Sequence, residues 1–121
     1  MSDNFLKLAR NEIQEELDSL NQILFQCHSD SDISTNGKEL ERHLHKIKGL
    51  APMMGQEGVG DIAALTDTIT KHVIANGTLD GTYNIFSESI KIMSDVFSGA
   101  NKNIDEFKNK IKQTFPNVLD S

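Results

Sequence analysis

The stretch "LERHLHKIKGLAPMMG", residues 40–55, carries Leu40, Leu44, Ile47, Ala51 and Met54 at steps of three and four. That spacing lines the apolar side chains along one stripe of a helix. Gly55 is placed to end the helix, because glycine readily takes the left-handed conformation that closes one. Gly49 fits less easily. Inside a helix it costs roughly 0.8–1.0 kcal/mol relative to Ala, so packing alone does not account for it.

The same period organises the rest of the chain. Phe5, Ala9, Ile13, Leu17, Leu20 and Leu24 predict a first helix from Asn4 to about Cys27. "HSDSDISTNG", residues 28–37, is rich in turn-favouring side chains and reads as a loop. Asn36 with Glu39 forms a capping-box pattern at its end, with Ser34 and Thr35 as competing caps. "GQEGVG", residues 55–60, reads as a turn. A third stripe, Ile62, Leu65, Ile69 and Val73, runs to a stop at Asn76-Gly77, and a fourth is made by Phe86, Ile90, Met93 and Phe97. Ile104, Phe107 and Ile111 either prolong the fourth helix past Ser98-Gly99 or form a fifth before Pro116. Period-two strand patterns are missing.

These elements predict an all-α fold, an antiparallel four-helix bundle with a fifth C-terminal helix or extension. At 121 residues the chain is sized for one domain. Residues 1–121 are expected to form it, with a core over about 4–98 and a C-terminal helix over about 100–115. Eighteen acidic against twelve basic residues give a formal charge of −6, and the basic residues are scattered. No basic face for nucleic acid is expected. The single Cys27 cannot form an internal disulfide, and the N-terminus lacks the apolar run of a signal peptide, so a cytoplasmic location is expected. No apolar run approaches the ~20 residues of a membrane span, so no membrane insertion is expected.

His45 and His43 face different ways on the second helix. At 100° per residue His45 lies about 140° from the centre of the second helix's stripe, facing solvent, whereas His43 lies only about 60° away, on the flank of the core. Glu41 and Arg42 stand one turn before His45, Lys48 and Gly49 one turn after, and Pro52 two turns after. Free imidazole is largely uncharged at neutral pH and nucleophilic. A phosphoryl group on Nε2 would bring a charge of roughly −2, and the Lys48 ammonium is spaced to reach it. Gly49, lacking a side chain, would let a second protein approach the ring.

"HKIKGLAPMMG" is similar to the signature of histidine-containing phosphotransfer (HPt) domains, His-x-x-Lys-Gly with a later Gly, matched by His45, Lys48, Gly49 and Gly55. The long first helix and the hairpin after it make the chain look most like the phosphotransfer domain at the front of chemotaxis kinases of the CheA type. The resemblance covers roughly residues 4–98. It implies that His45 accepts a phosphoryl group and passes it to a receiver aspartate of a response regulator. The donor would be a histidine kinase ATP-binding domain, in the same chain or another, or a phosphorylated receiver. It also implies a phosphocarrier without independent catalytic activity, with Mg²⁺ held by the partner and no cofactor of its own. An acidic residue on the next helix would hold Nδ1 of the imidazole; Asp67 occupies that place by count. Its direction is not fixed by sequence, and Glu41 on the same helix as His45 is the competing partner.

Pro52 departs from the family pattern, where a small residue is common. It removes one helical hydrogen bond and clashes with the Lys48 carbonyl, so a kink is expected near the docking face. Gly49, Pro52, Met53 and Glu41 are the expected receiver-docking surface, with Met53 towards solvent and Met54 on the core stripe. His28 and His72 have no ligand-spaced companion, and the Glu-x-x-His spacing of metal-binding bundles is absent, so no metal is expected. "GVG" at 58–60 follows no strand, and no phosphate-binding glycine loop or kinase segment is present. The alternative to the carrier is a helical adaptor that binds a partner without accepting phosphate.

Overall fold

The structure, a computed structural model, describes residues 2–119. The described residues are helical without strands, in the order α1 Asp3–Phe25, α2 Asp30–Thr35, α3 Gly37–Leu50, a 3-10 turn Pro52–Met54, α4 Glu57–Asn76, α5 Thr82–Phe97 and α6 Ile104–Thr114. Helix α1 packs on α3 and α5, and α4 packs on α3 and α5, which closes a four-helix ring. Short connections make chain neighbours antiparallel. The expected bundle is therefore present.

The apolar stripes meet in one core: Ile13, Leu17 and Leu20 of α1, Leu40, Leu44 and Ile47 of α3, Ile62 and Ile69 of α4, and Phe86, Ile90 and Met93 of α5. Helix α6 is separate from α5, since the chain turns at Gly99, whose φ is 106°. Its Phe107 and Ile111, with Phe115 beyond, enter the same core. The core thus runs past residue 98. Lys108 to Asp61 (3.0 Å) and Lys110 to Glu88 (2.8 Å) tie the outer face of α6 to α4 and α5.

Four expectations are corrected. Residues 28–37 are not all loop: Asp30–Thr35 form a helical turn and a half, capped by the Ser29 hydroxyl, which accepts from the Asp32 amide. Serine and aspartate favour caps as well as turns, which is why composition did not distinguish the two. The Asn36–Glu39 capping box does not form. Asn36 instead donates its side-chain amide to the Asp32 carbonyl (2.9 Å), so α3 starts without a side-chain cap.

Residues 55–60 are not all turn, since α4 begins at Glu57 and takes in both Gly58 and Gly60. Those glycines serve packing. A Cβ at residue 58 would lie 3.1 Å from Ile104, and one at residue 60 would lie 2.9 Å from Pro52. Pro52, for its part, does not kink a continuous helix. Helix α3 stops at Leu50, and Pro52 opens the 3-10 turn, where its missing N–H is not required. Gly55 then reverses the chain at φ 75°, while the Gln56 amide donates to the Ala51 carbonyl (2.9 Å).

Candidate functional site

Helices α3 and α4 form the hairpin that carries the site. The His45 side chain projects from α3 with 64% of its surface exposed, as its angular position requires. Behind it stands Asp67 of α4, only 1% exposed, with Oδ2 4.0 Å from His45 Nδ1. This separation exceeds a direct hydrogen bond and lies within ion-pair range. Asp67 lies away from the α4 apolar stripe, yet it is buried. Helix α4 is covered on several sides, by α2, α3, α5, α6 and the 3-10 turn, so more than one of its faces is inside.

Two ammonium groups converge on the same carboxylate oxygen. Lys48 Nζ lies 3.8 Å from Asp67 Oδ2, and Lys71 Nζ, one turn further along α4, lies 3.4 Å from it. Because the helices run antiparallel, Lys48 and Lys71 flank the His45–Asp67 level from opposite directions. Lys71 was not singled out by sequence; its i+4 spacing from Asp67 was the available signal. Asp67 Oδ1 is buried and has no hydrogen-bond partner among the described residues. Glu41 also approaches: one oxygen or nitrogen from each of Glu41, His45 and Asp67 can be chosen so that all lie within 4.8 Å of one another. Sequence left Asp67 and Glu41 as competitors for His45, whereas the structure brings both to it.

His43 behaves differently from its neighbour. It is 8% exposed, and its Nδ1 lies 2.6 Å from Oε1 of the buried Glu16 on α1. Lys46 Nζ is 3.8 Å from the other oxygen of Glu16. The contact joins α1 to α3 two residues before His45 and occupies one ring nitrogen of His43. Sequence reading missed Glu16, although a charged residue one turn after Ile13 on the packed side of α1 implied a polar partner.

Around His45 the surface is low and mixed. A Cβ at Gly49 would meet nothing within 4 Å, so no fold contact demands glycine there. Pro52 and Met53 are exposed, Met53 to 47%, whereas Met54 is half-buried against the core, and Glu41 is half-buried as well. The site is thus an imidazole with an accessible edge, a buried carboxylate behind it and two ammonium groups close to that carboxylate. Such an arrangement can receive a compact dianion from outside and cannot enclose a substrate.

A family model, the Hpt domain, matches residues 4–108. Comparison with curated proteins and with solved structures gives no match. The matched segment opens in the first turn of α1 and closes inside α6, so it embraces the whole four-helix ring and the hairpin bearing His45, and the chain belongs to the Hpt domain family.

Proposed function

We propose that His45 accepts a phosphoryl group on Nε2 and passes it to the receiver aspartate of a response regulator, in a phosphorelay of the chemotaxis type. Hpt domains are phosphocarriers of two-component systems, act with response-regulator receivers and are not themselves catalysts. The finer reading rests chiefly on one observation: the strongly exposed imidazole of His45 stands over a carboxylate that is itself buried.

The chemistry is a displacement at phosphorus. The Nε2 lone pair forms an N–P bond as the P–O bond to the donor breaks, and the electron pair leaves with the donor oxygen. The proton stays on Nδ1, and the ring gains positive charge that the Asp67 carboxylate offsets. Lys48 and Lys71 supply countercharge to the phosphoryl oxygens. Mg²⁺ and the acidic pocket belong to the receiver, and this domain contributes no cofactor to the transfer. Gly49, Pro52, Met53 and Glu41 form the docking surface on which the receiver settles. The donor is a receiver or the ATP-binding domain of a histidine kinase, and a cytoplasmic location follows from those partners. No helix among the described residues is long and apolar enough to cross a membrane.

The test is transfer of labelled phosphate from a phosphorylated receiver, or from a kinase with ATP. Acid-labile, alkali-stable label that disappears in His45→Gln is the expected result. Label that persists in His45→Gln rejects the assignment, and receiver binding without any label favours the adaptor.

A further inference from the structure

Glu41 and His45 stand at i and i+4 on α3, one above the other on the same face. Asp67 reaches the same point from α4, and the three residues offer ligand atoms within 4.8 Å of one another. Asp67 is no ordinary surface acid. It is 1% exposed, and its Oδ1 has no hydrogen-bond donor among the described residues. A buried carboxylate with one oxygen lacking a donor keeps negative charge that its surroundings only partly offset, and a cation beside His45 would add to that offset. Lys48 and Lys71 both address the other oxygen, Oδ2, at 3.8 and 3.4 Å, so neither supplies what Oδ1 lacks. Both lysines are also substantially exposed and free to swing outward.

We propose that Glu41, His45 and Asp67 bind a divalent transition-metal ion of the zinc class, and that the bound ion excludes phosphorylation of His45. One imidazole nitrogen with two carboxylates suits Zn²⁺, whereas Mg²⁺ and Ca²⁺ take oxygen ligands. In a tetrahedral zinc site with bonds of ~2.0–2.1 Å, ligand atoms stand about 3.4 Å apart. The three residues must therefore draw together, which the half-buried Glu41 and the exposed His45 can do by side-chain rotation. Water completes the coordination. The two nearby ammonium groups oppose the ion, so the site is weak enough to release it.

The second half of the proposal rests on the phosphocarrier reading. A metal ion and a phosphoryl group cannot use this imidazole together with the same anionic backing, so each lowers the affinity of the other by linkage. The Mg²⁺ that a receiver requires leaves the site untouched, and a transition metal silences it.

Zn²⁺ titrated calorimetrically into the chelator-treated full chain should reveal one site that Mg²⁺ does not fill. Glu41→Gln and His45→Gln, both at or near the surface and tolerable to the fold, should each weaken it by roughly tenfold or more. Lys71→Ala should tighten it by roughly two- to fivefold, because a competing charge is removed. Absence of Zn²⁺ binding, or binding unchanged in either ligand variant, overturns the site. Transfer assays with and without Zn²⁺ separate this proposal from the one before. Label on His45 that Zn²⁺ does not suppress removes the competition and leaves the carrier standing. Zn²⁺ binding to a chain that never accepts label leaves the metal site standing and removes the carrier.

Discussion

The ring of Pro52 rests against Gly60 so closely that a Cβ at residue 60 would lie 2.9 Å from Pro52 Cγ and 3.0 Å from Cδ. Proline cannot rotate away from such a contact. The residue that departs from the family pattern and a glycine on the facing helix are therefore matched to each other, and the match sets how the chain enters α4 below the site. Gly60→Ala should destabilise the fold by about 1–3 kcal/mol through overpacking. Adding Pro52→Ala should recover part of that loss, a non-additivity read from denaturant midpoints in a double-mutant cycle. Additive effects would show that the two residues do not bear on each other.

Gly49 makes the opposite prediction. Among the described residues nothing beyond its own helix backbone and chain neighbours lies within 4 Å of where its Cβ would stand, and its φ is not in the left-handed region. Gly49→Ala should raise stability by about 0.4–1 kcal/mol, as removal of a flexible residue from a helix does. If the empty space admits a receiver, the same change should raise the KM for receiver transfer while the fold grows firmer. Thermal unfolding and transfer kinetics on one variant decide the matter, and unchanged kinetics would return Gly49 to ordinary surface.

The buried contact between Glu16 and His43, 2.6 Å long, clamps α1 to the segment of α3 that presents His45. Glu16→Ala strands His43 in a site from which water is largely excluded, at a cost of roughly 1–3 kcal/mol. Chemical denaturation measures it. The same burial keeps His43 from substituting for its neighbour, so phosphohistidine mapping of His45→Gln should find no label at residue 43.

How far these relationships could be read in advance follows from their physics. Helices α1, α3, α5 and α6 each bury one stripe, and a one-sided stripe is written in the sequence period as Leu40, Leu44 and Ile47 are. His45 was legible for the same reason, being opposite its stripe. Asp67 was only half legible: its height follows from counting round the hairpin, but its burial depends on α4 being covered on several sides. Gly58 and Gly60 were misread because a glycine needed for close packing and one needed for a turn look alike without the residue that approaches it. Lys71 and Glu16 matter through partners on other helices, and a period computed along one helix does not contain them.

Acid stability should report on Asp30. Its carboxylate accepts from the backbone amides of Tyr83 (2.7 Å) and Gly81 (3.0 Å), tying α2 to the start of α5. Those two hydrogen bonds, the Tyr83 one foremost, hold its pKa below the ordinary carboxylate value, against a smaller opposing effect of burial. A carboxyl depressed in the folded state stabilises the fold above its unfolded pKa of about 3.9, and that contribution is lost as pH falls through the folded value. Asp30→Ala should therefore cost about 1 kcal/mol near neutrality and progressively less in acid below pH ~4. Unfolding curves that stay parallel across that window would remove Asp30 from the acid response.

The most direct probe of the site is the carboxylate behind the ring. Asp67 Oδ2 stands 4.0 Å from His45 Nδ1, and in the proposed transfer its charge favours a proton on Nδ1 and leaves Nε2 as the attacking nitrogen. Asp67→Asn keeps the size of the side chain and removes the charge that offsets the imidazolium character gained during attack. Lys48 and Lys71 then lose their common partner and turn towards the phosphoryl site or the solvent. The two consequences separate kinetically. Loss of tautomer control should slow phosphoryl acceptance at saturating donor by roughly tenfold or more, the scale of a general acid–base contribution. The KM for the receiver should change little, because a carboxylate that is 1% exposed does not touch a docked partner. A rise in KM without a fall in the saturated rate would mean that Asp67 shapes the docking surface instead, and that the ring finds its orientation from Glu41.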